Sequence, residues 1–252
     1  MNGCPLPLPS DNWALFLDID GTLLDIADTP TAVAVPSDLP PLLDGLLKVF
    51  DNAVALVSGR SLRDIDHLFA PMKLPAAGQH GAEIRLPGGI IETQPPAGVD
   101  LARLLPALTT FVAERPGLLI EDKGRTVALH YRHAPQYKAE IVDFLAGLVG
   151  DQSETVETIG GHRVFEIKPR AFNKGTAVAR FMQAAPFAGR CPVFIGDDRT
   201  DEDGFAAVCA RGGHAVRVGL DRPSIAQARI AGPGETRAWL AHVRDALTHD
   251  AG

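Results

Sequence analysis

Cysteine is scarce in this 252-residue chain: Cys4, Cys191 and Cys209 are the whole set, with no CxxC pair or metal-ligand spacing. That argues against a disulfide scaffold or a structural zinc site and suits reduced thiols in a cytoplasmic protein. Long apolar runs are missing too. No segment approaches the roughly 18 residues that cross a bilayer, and residues 1–11 have neither a basic stretch nor a long apolar one, so no leader is expected. Positive charge is in deficit, 24 Lys and Arg against 31 Asp and Glu for a formal net charge of -7. A nucleic-acid surface is thereby disfavoured, and an anionic substrate would need a local cluster of cations. What remains is a chain with 46% hydrophobic residues, long enough for one large domain or a core with a smaller insertion. We expect a soluble, cytoplasmic monomer acting on a small molecule, with no nucleic-acid or membrane partner.

One stretch organises the rest. Leu15-Phe16-Leu17-Asp18-Ile19-Asp20-Gly21-Thr22 is an apolar run that ends in two carboxylates one residue apart and breaks at a glycine. It reads as a parallel strand buried on both faces. Asp18 and Asp20 then share one side at its C-terminal end, where open α/β sheets bind ligands. The following residues predict a loop with a short hairpin over 24–38, a helix over 40–50 and a strand over 53–57 ending at Ser58-Gly59-Arg60. A helix to about 69, a strand over 74–77 and a hairpin turning at Pro87-Gly88-Gly89 come next. From 97 to 168 the order becomes helix (99–114), strand (118–121), strand (127–132), helix (135–149), strand (154–158), strand (163–168). That pattern predicts an α+β insertion with an antiparallel sheet. The βα rhythm returns with a helix over 174–184, a strand over 193–195, a helix over 204–209, a strand over 215–218 and a last helix over 235–247. The expected fold class is α/β: a doubly wound core of residues 1–96 and 169–252, interrupted by an α+β cap domain at 97–168.

Four polar signatures fall at strand ends or helix starts: Asp18-x-Asp20, Ser58-Gly59-Arg60, Lys174-Gly175, and the acidic run Gly196-Asp197-Asp198-Arg199-Thr200-Asp201-Glu202-Asp203. Taken singly each has a plain reading, as an acidic turn, an N-cap, a solvated lysine or a charged helix start. Gathered at one sheet edge, so many carboxylates cannot all stay ionised without a cation. Oxygen ligands of this kind suit Mg2+, with Asp18, Asp20, Asp197 and Asp198 as candidate ligands, Asp20 through its backbone carbonyl. Asp18 is the candidate nucleophile toward phosphorus and Asp20 the acid and later the base. Ser58 is the donor to a phosphoryl oxygen and Lys174 the cation that neutralises developing charge.

In this order the signatures resemble the haloacid dehalogenase-like (HAD) phosphohydrolases, whose motifs run Asp-x-Asp-Gly-Thr, Ser or Thr, Lys, then Gly-Asp-Asp. The resemblance spans the chain and implies a Rossmann-like core, magnesium and an aspartyl-phosphate. A finer resemblance, to the trehalose-6-phosphate phosphatase family, rests on Gly78-Gln79-His80-Gly81-Ala82-Glu83, Glu121-Asp122-Lys123-Gly124, Ala128-Leu129-His130-Tyr131-Arg132, Glu166-Ile167-Lys168-Pro169 and Gly196 to Glu202. It implies hydrolysis of a phosphorylated disaccharide, trehalose 6-phosphate, to trehalose and phosphate, the last step of trehalose biosynthesis. The alternatives are another capped sugar phosphatase of the sucrose-phosphate or mannosyl-phosphoglycerate type, or a non-catalytic phosphosugar sensor.

Candidate substrate contacts are Gly59, Arg60, His80, Glu121, Lys123, His130, Arg132, Glu166 and Lys168. By strand period His130 shares a face with Arg132 and Glu166 with Lys168, and acids and bases together suit sugar hydroxyls. His80 and Glu83 would touch the sugar or cap a turn. His67, His162, His214, His242 and His249 read as structural or surface residues, and Trp13 and Trp239 as packing.

Overall fold

The computed structural model describes residues 4–27, 33–93, 103–150, 153–161, 163–220 and 222–249. The chain divides into two compact units, Met1–Thr93 with Asn173–Gly252, and Gln94–Phe172.

The larger unit begins with β1 (Trp13–Leu17), every residue of which is buried. Helix α1 (Leu39–Val49) starts on prolines, whose fixed φ suits a first turn, and buries Leu39, Leu42, Leu43 and Leu46 on one helical face. It ends where Asp51 and Asn52 take left-handed φ values of 50° and 65°, a conformation these two residue types tolerate. β2 (Val54–Val57), α2 (Leu62–Leu68) and β3 (Ala76–Gly78) follow, then the hairpin β4 (Glu83–Arg85) and β5 (Ile91–Thr93). Of the loop with a short hairpin expected over 24–38, residues 28–32 lie outside the described residues, and the described remainder forms no named strand.

The smaller unit holds α3 (Leu105–Ala113), β6 (Leu119–Asp122), β7 (Val127–His130), α4 (Lys138–Val149), β8 (Val156–Gly161) and β9 (Val164–Pro169). Its strands form one antiparallel sheet in the order β6-β7-β9-β8. Val127, Leu129 and Ile167 pack with Leu108 of α3 and Ile141 and Leu145 of α4 in a separate core. The first residues of the helix expected over 99–114, and His162, lie outside the described residues.

The larger unit resumes with α5 (Lys174–Phe181), β10 (Cys191–Gly196), α6 (Asp201–Cys209), β11 (His214–Val218), β12 (Ala228–Ile230) and α7 (Pro233–His249). Two differences from expectation matter. β12 is a strand of three residues, too short to give a periodic signal, and α6 starts three residues early, so the acidic run forms its first turn. The eight strands run β12-β11-β10-β1-β2-β3-β4-β5, parallel from β12 to β3 and antiparallel through the hairpin. Strand order reverses beside β1, because the chain grows outward through β2 on one side and through β10 on the other. Such a reversal opens a crevice at the carboxyl ends of the strands. Trp13, 6.3 Å from the Phe50 ring and 6.1 Å from Trp239, is core packing. Among the described residues no helix is long and apolar enough to cross a membrane.

Candidate active site

Asp18 follows β1 directly and is 4% exposed. Its amide donates to the carbonyl of Ile195 in β10 at 3.0 Å, so the neighbouring strand β10 helps set its position. Thr22 donates its hydroxyl to Asp18 Oδ2 at 3.0 Å. Lys174 Nζ donates to Asp18 Oδ1 at 2.7 Å and to Asp201 Oδ1 at 2.7 Å. The lysine is fixed by being the first residue of α5, behind an Asn173–Thr176 capping box, which satisfies two of the backbone N–H groups left open at the helix start.

Asp18, Asp197 and Asp201 each present one carboxylate oxygen within 4.8 Å of the others. Gly21, at φ 79°, permits this crowding: a Cβ there would sit 2.2 Å from Asp197 Oδ2. Burial alone would depress the Lys174 ammonium, yet the charges of Asp18 and Asp201 outweigh it and hold the group protonated above the usual lysine range. The carboxylates carry the opposite strain. Burial, then repulsion from Asp18 and Asp201, pushes the Asp197 carboxyl up to about 9. Burial likewise raises Asp201, against the pull of Lys174.

A cation answers that imbalance, and the donor set fits one. Asp197 Oδ1 is buried without a hydrogen-bond partner, as an oxygen waiting for a metal would be. Asp201 is different: Oδ1 accepts from Lys174, and Oδ2 accepts the amides of Asp197 and Asp198 at 3.0 and 2.8 Å. It braces the loop that carries Asp197 and accepts three hydrogen bonds, against two at Asp18. Asp18 and Asp197 are thus the carboxylates open to a hard divalent ion, a number that suits one keeping several waters.

A pH dependence follows. Burial and the neighbouring carboxylates hold Asp197 far above the ordinary aspartate range, up to about 9, so in metal-free protein its contribution to stability is lost as pH rises from the ordinary range through that value. Divalent cation binding requires the ionised carboxylates, so the rise in melting temperature on adding magnesium should grow across the same range. Melting curves with magnesium and with chelator from pH 5 to 9 check this; a constant increment would contradict it.

The other candidates are placed as follows. Ser58, 2% exposed, accepts the Arg60 amide at 3.2 Å. It is not an N-cap, because Ser61 caps α2 through Asp64 N. Arg60 forks onto Asp20, Nε to Oδ2 at 2.6 Å and Nη2 to Oδ1 at 2.7 Å. The Asp20 carboxylate therefore lies with Arg60 and outside the three-carboxylate cluster. Asp198 is outside it as well: its Oδ1 accepts the Arg199 amide at 2.6 Å and faces Arg222. Asp201, absent from the candidates named above, is the residue the expected helix start at 204 concealed. Four residues after Asp197 and inside the first turn of α6, it was reachable by asking what pairs with a buried Lys174.

In the smaller sheet, register aligns Glu121 of β6, Ala128 of β7 and Glu166 of β9 in one row. The two carboxylates flank this alanine, which is fully buried. His130 Nε2 lies 2.9 Å from Glu121 Oε2, and Lys123 Nζ lies 3.5 Å from Glu166 Oε2. The hydrogen bond with His130, supported by the charge of Lys123 and against partial burial, holds the Glu121 carboxyl below its ordinary value. One expectation is corrected. β7 ends at His130, so Arg132 lies past the strand and the two-residue period does not reach it. Lys168 is buried, with Nζ on Glu157 Oε1 at 2.6 Å and on the carbonyls of Phe172 and Pro169. Its three donors are engaged within the unit, so a sugar contact through Nζ would have to displace one of these partners.

The family model for trehalose-phosphatase matches residues 16–228. A probable trehalose-phosphate phosphatase of Sinorhizobium fredii is 47% identical over 214 residues, covering 85% of this chain and 80% of that protein. The trehalose-6-phosphate phosphatase of Escherichia coli is 41% identical over 244 residues, covering 96% and 90%. A solved structure described as a trehalose-6-phosphate phosphatase related protein superposes with TM-score 0.77 at 26% identity, covering 94% of this chain and 99% of that one. A haloacid dehalogenase-like hydrolase from B. subtilis shares the fold at TM-score 0.65 and 16% identity, covering 93% and 99%. With the family model spanning most of its length, the chain belongs to the trehalose-phosphatase family.

Proposed function

We propose that this chain hydrolyses trehalose 6-phosphate to trehalose and inorganic phosphate, closing trehalose biosynthesis. The observation that carries the chemistry is Lys174, buried between Asp18 and Asp201 and holding one Asp18 oxygen at 2.7 Å. It holds the Asp18 carboxylate in place and sets a positive charge beside it. The substrate comes from the two relatives, named as trehalose-phosphate phosphatases over most of their length.

In the first step an Asp18 carboxylate oxygen bonds to phosphorus and the bond from phosphorus to the sugar oxygen breaks. Asp20 gives its proton to the departing oxygen. In the second, Asp20 takes a proton from water, the water oxygen bonds to phosphorus, and the Asp18 carboxylate is restored. Asp20 must leave the Arg60 fork to do this. Arg60 is then available to a phosphoryl or sugar oxygen, and Ser58 donates to a phosphoryl oxygen. Lys174 balances the charge moving between nucleophile and phosphate. Magnesium, held by Asp18 and Asp197, would supply positive charge to a phosphoryl oxygen. The inserted unit, residues 97–168, is the sugar-recognising domain, through Glu121, Lys123, His130 and Glu166. The reading takes the enzyme to be a cytoplasmic monomer, in keeping with its few free cysteines.

Phosphate release from a panel of sugar phosphates tests it. Trehalose 6-phosphate should exceed sucrose 6-phosphate, glucose 6-phosphate and mannosyl-phosphoglycerate by at least about a hundredfold in kcat/KM, since a site built for hydroxyls rejects sugars that leave its polar groups unpaired. A clear preference for another ester would overturn the substrate, and binding without turnover would favour a sensor.

A further inference from the structure

The segment Gly78-Gln79-His80-Gly81-Ala82-Glu83 takes no part in these steps, yet its backbone is unusual among the described residues. Three consecutive residues are left-handed: Gln79 at φ 47°, His80 at 59° and Gly81 at 106°. Gln79 and His80 are buried, and residues of their kind adopt this conformation only where surroundings enforce it.

Glu83, the first residue of β4, braces the turn. Its Oε1 accepts from Gln79 Nε2 at 2.9 Å and its Oε2 from the amide of Leu62, the first residue of α2, at 3.0 Å. The turn in turn grips the loop between β2 and α2. Gln79 N donates to the Arg60 carbonyl at 2.8 Å, and His80 N to the Ser58 carbonyl at 3.0 Å. Ser58 N is tied to the Ala77 carbonyl at 2.9 Å. The His80 ring lies so close over the loop that a Cβ at Gly59 would be 2.8 Å from its Nε2. Ser58 to Leu62 is thus fastened along its length to one strained turn, and Glu83 joins the turn to the loop's far end.

We propose that Glu83 is a positioning residue for Ser58, acting through the Gln79–Gly81 turn and touching neither substrate nor reacting atoms. This rests on Ser58 being the phosphoryl donor. In Glu83→Gln one side-chain end becomes a donor, which must face either the Gln79 amide or the Leu62 N–H, so one of the two ties is lost. Exchanging the partners, Gln79→Glu with Glu83→Gln, restores a carboxylate opposite an amide and leaves an acceptor for Leu62 N.

The experiment is a double-mutant cycle on trehalose 6-phosphate turnover, with melting temperature recorded for every variant. Glu83→Gln should lower kcat about tenfold in the parent, as a small displacement of a reacting-site group does. In the Ser58→Ala background it should cost less than about twofold, because interacting positions are not additive. The exchanged pair should recover most of kcat. Should Glu83→Gln fail to fold, Gln79→Asn, which tolerates the backbone but is too short to reach Glu83, takes its place in the cycle. Equal losses in both backgrounds would overturn the proposal and make Glu83 a support of the fold alone. An unimpaired Ser58→Ala would remove the role of Ser58 first, and the proposal with it.

Discussion

Asp18→Asn should abolish phosphate release, by at least about 10⁴-fold in kcat, while leaving the fold intact. An amide oxygen can still accept from Lys174, as Asp18 Oδ1 does at 2.7 Å, but it cannot form the bond to phosphorus. The side chain keeps its shape. The site also loses one of the carboxylates that push the Asp197 carboxyl upward, so the melting temperature should stay within a few degrees of the parent. Rapid-quench detection of a protein-bound phosphoryl group, present in the parent and missing in the variant, assigns the loss to the nucleophile. Turnover that survived the substitution would refute the aspartyl-phosphate route.

Lys174→Met should do the opposite to stability. The ammonium is the shared counterion of Asp18 and Asp201, which are 4% and 0% exposed, and removing one partner of a buried ion cluster costs about 3–5 kcal/mol. The sign with pH follows from the raised lysine. A group whose folded pKa exceeds its unfolded value contributes fully below the unfolded value, so the parent holds all of this stabilisation at neutral pH. In the variant the orphaned carboxylates protonate on acidification. The gap between parent and variant should therefore be widest at neutral pH and narrow toward pH 4 to 5, as read by urea unfolding at each pH. A gap independent of pH would mean that Lys174 stabilises by packing. Activity should vanish at every pH, since acid restores stability but not the cation beside the reacting phosphate.

Asp18, Ser58 and Lys174 were legible because each stands where an apolar run or a helix boundary announces a strand end, and the order of the signatures supplied the rest. Spacing along the chain says less about what side chains face. Asp20 and Asp198 carry the same carboxylate as Asp197, and only the fold shows Arg60 forked on one and Arg222 facing the other. Asp201 was hidden by an error of three residues in the start of α6, enough to put a buried counterion into an apparent loop. Strand period failed at Arg132 for a similar reason, because β7 stops at His130. It places Lys168 on one side of the sheet with Glu166 but says nothing of its partners, since period cannot show that Glu157 across the strands already engages the ammonium.

The central position of β1 has a consequence for how the protein is made. Its partners are β2, a short distance downstream, and β10, which pairs Trp13 with Cys191. Between them lies the whole of Gln94–Phe172. As the chain leaves the ribosome, this fully buried strand must wait with one edge open until β10 is synthesised, while the inserted unit already has the four strands β6 to β9. Late closure of non-local pairings is slow and leaves strand edges open to association. A nascent chain stalled before residue 191 should therefore carry a finished smaller domain beside a sticky, half-built larger one.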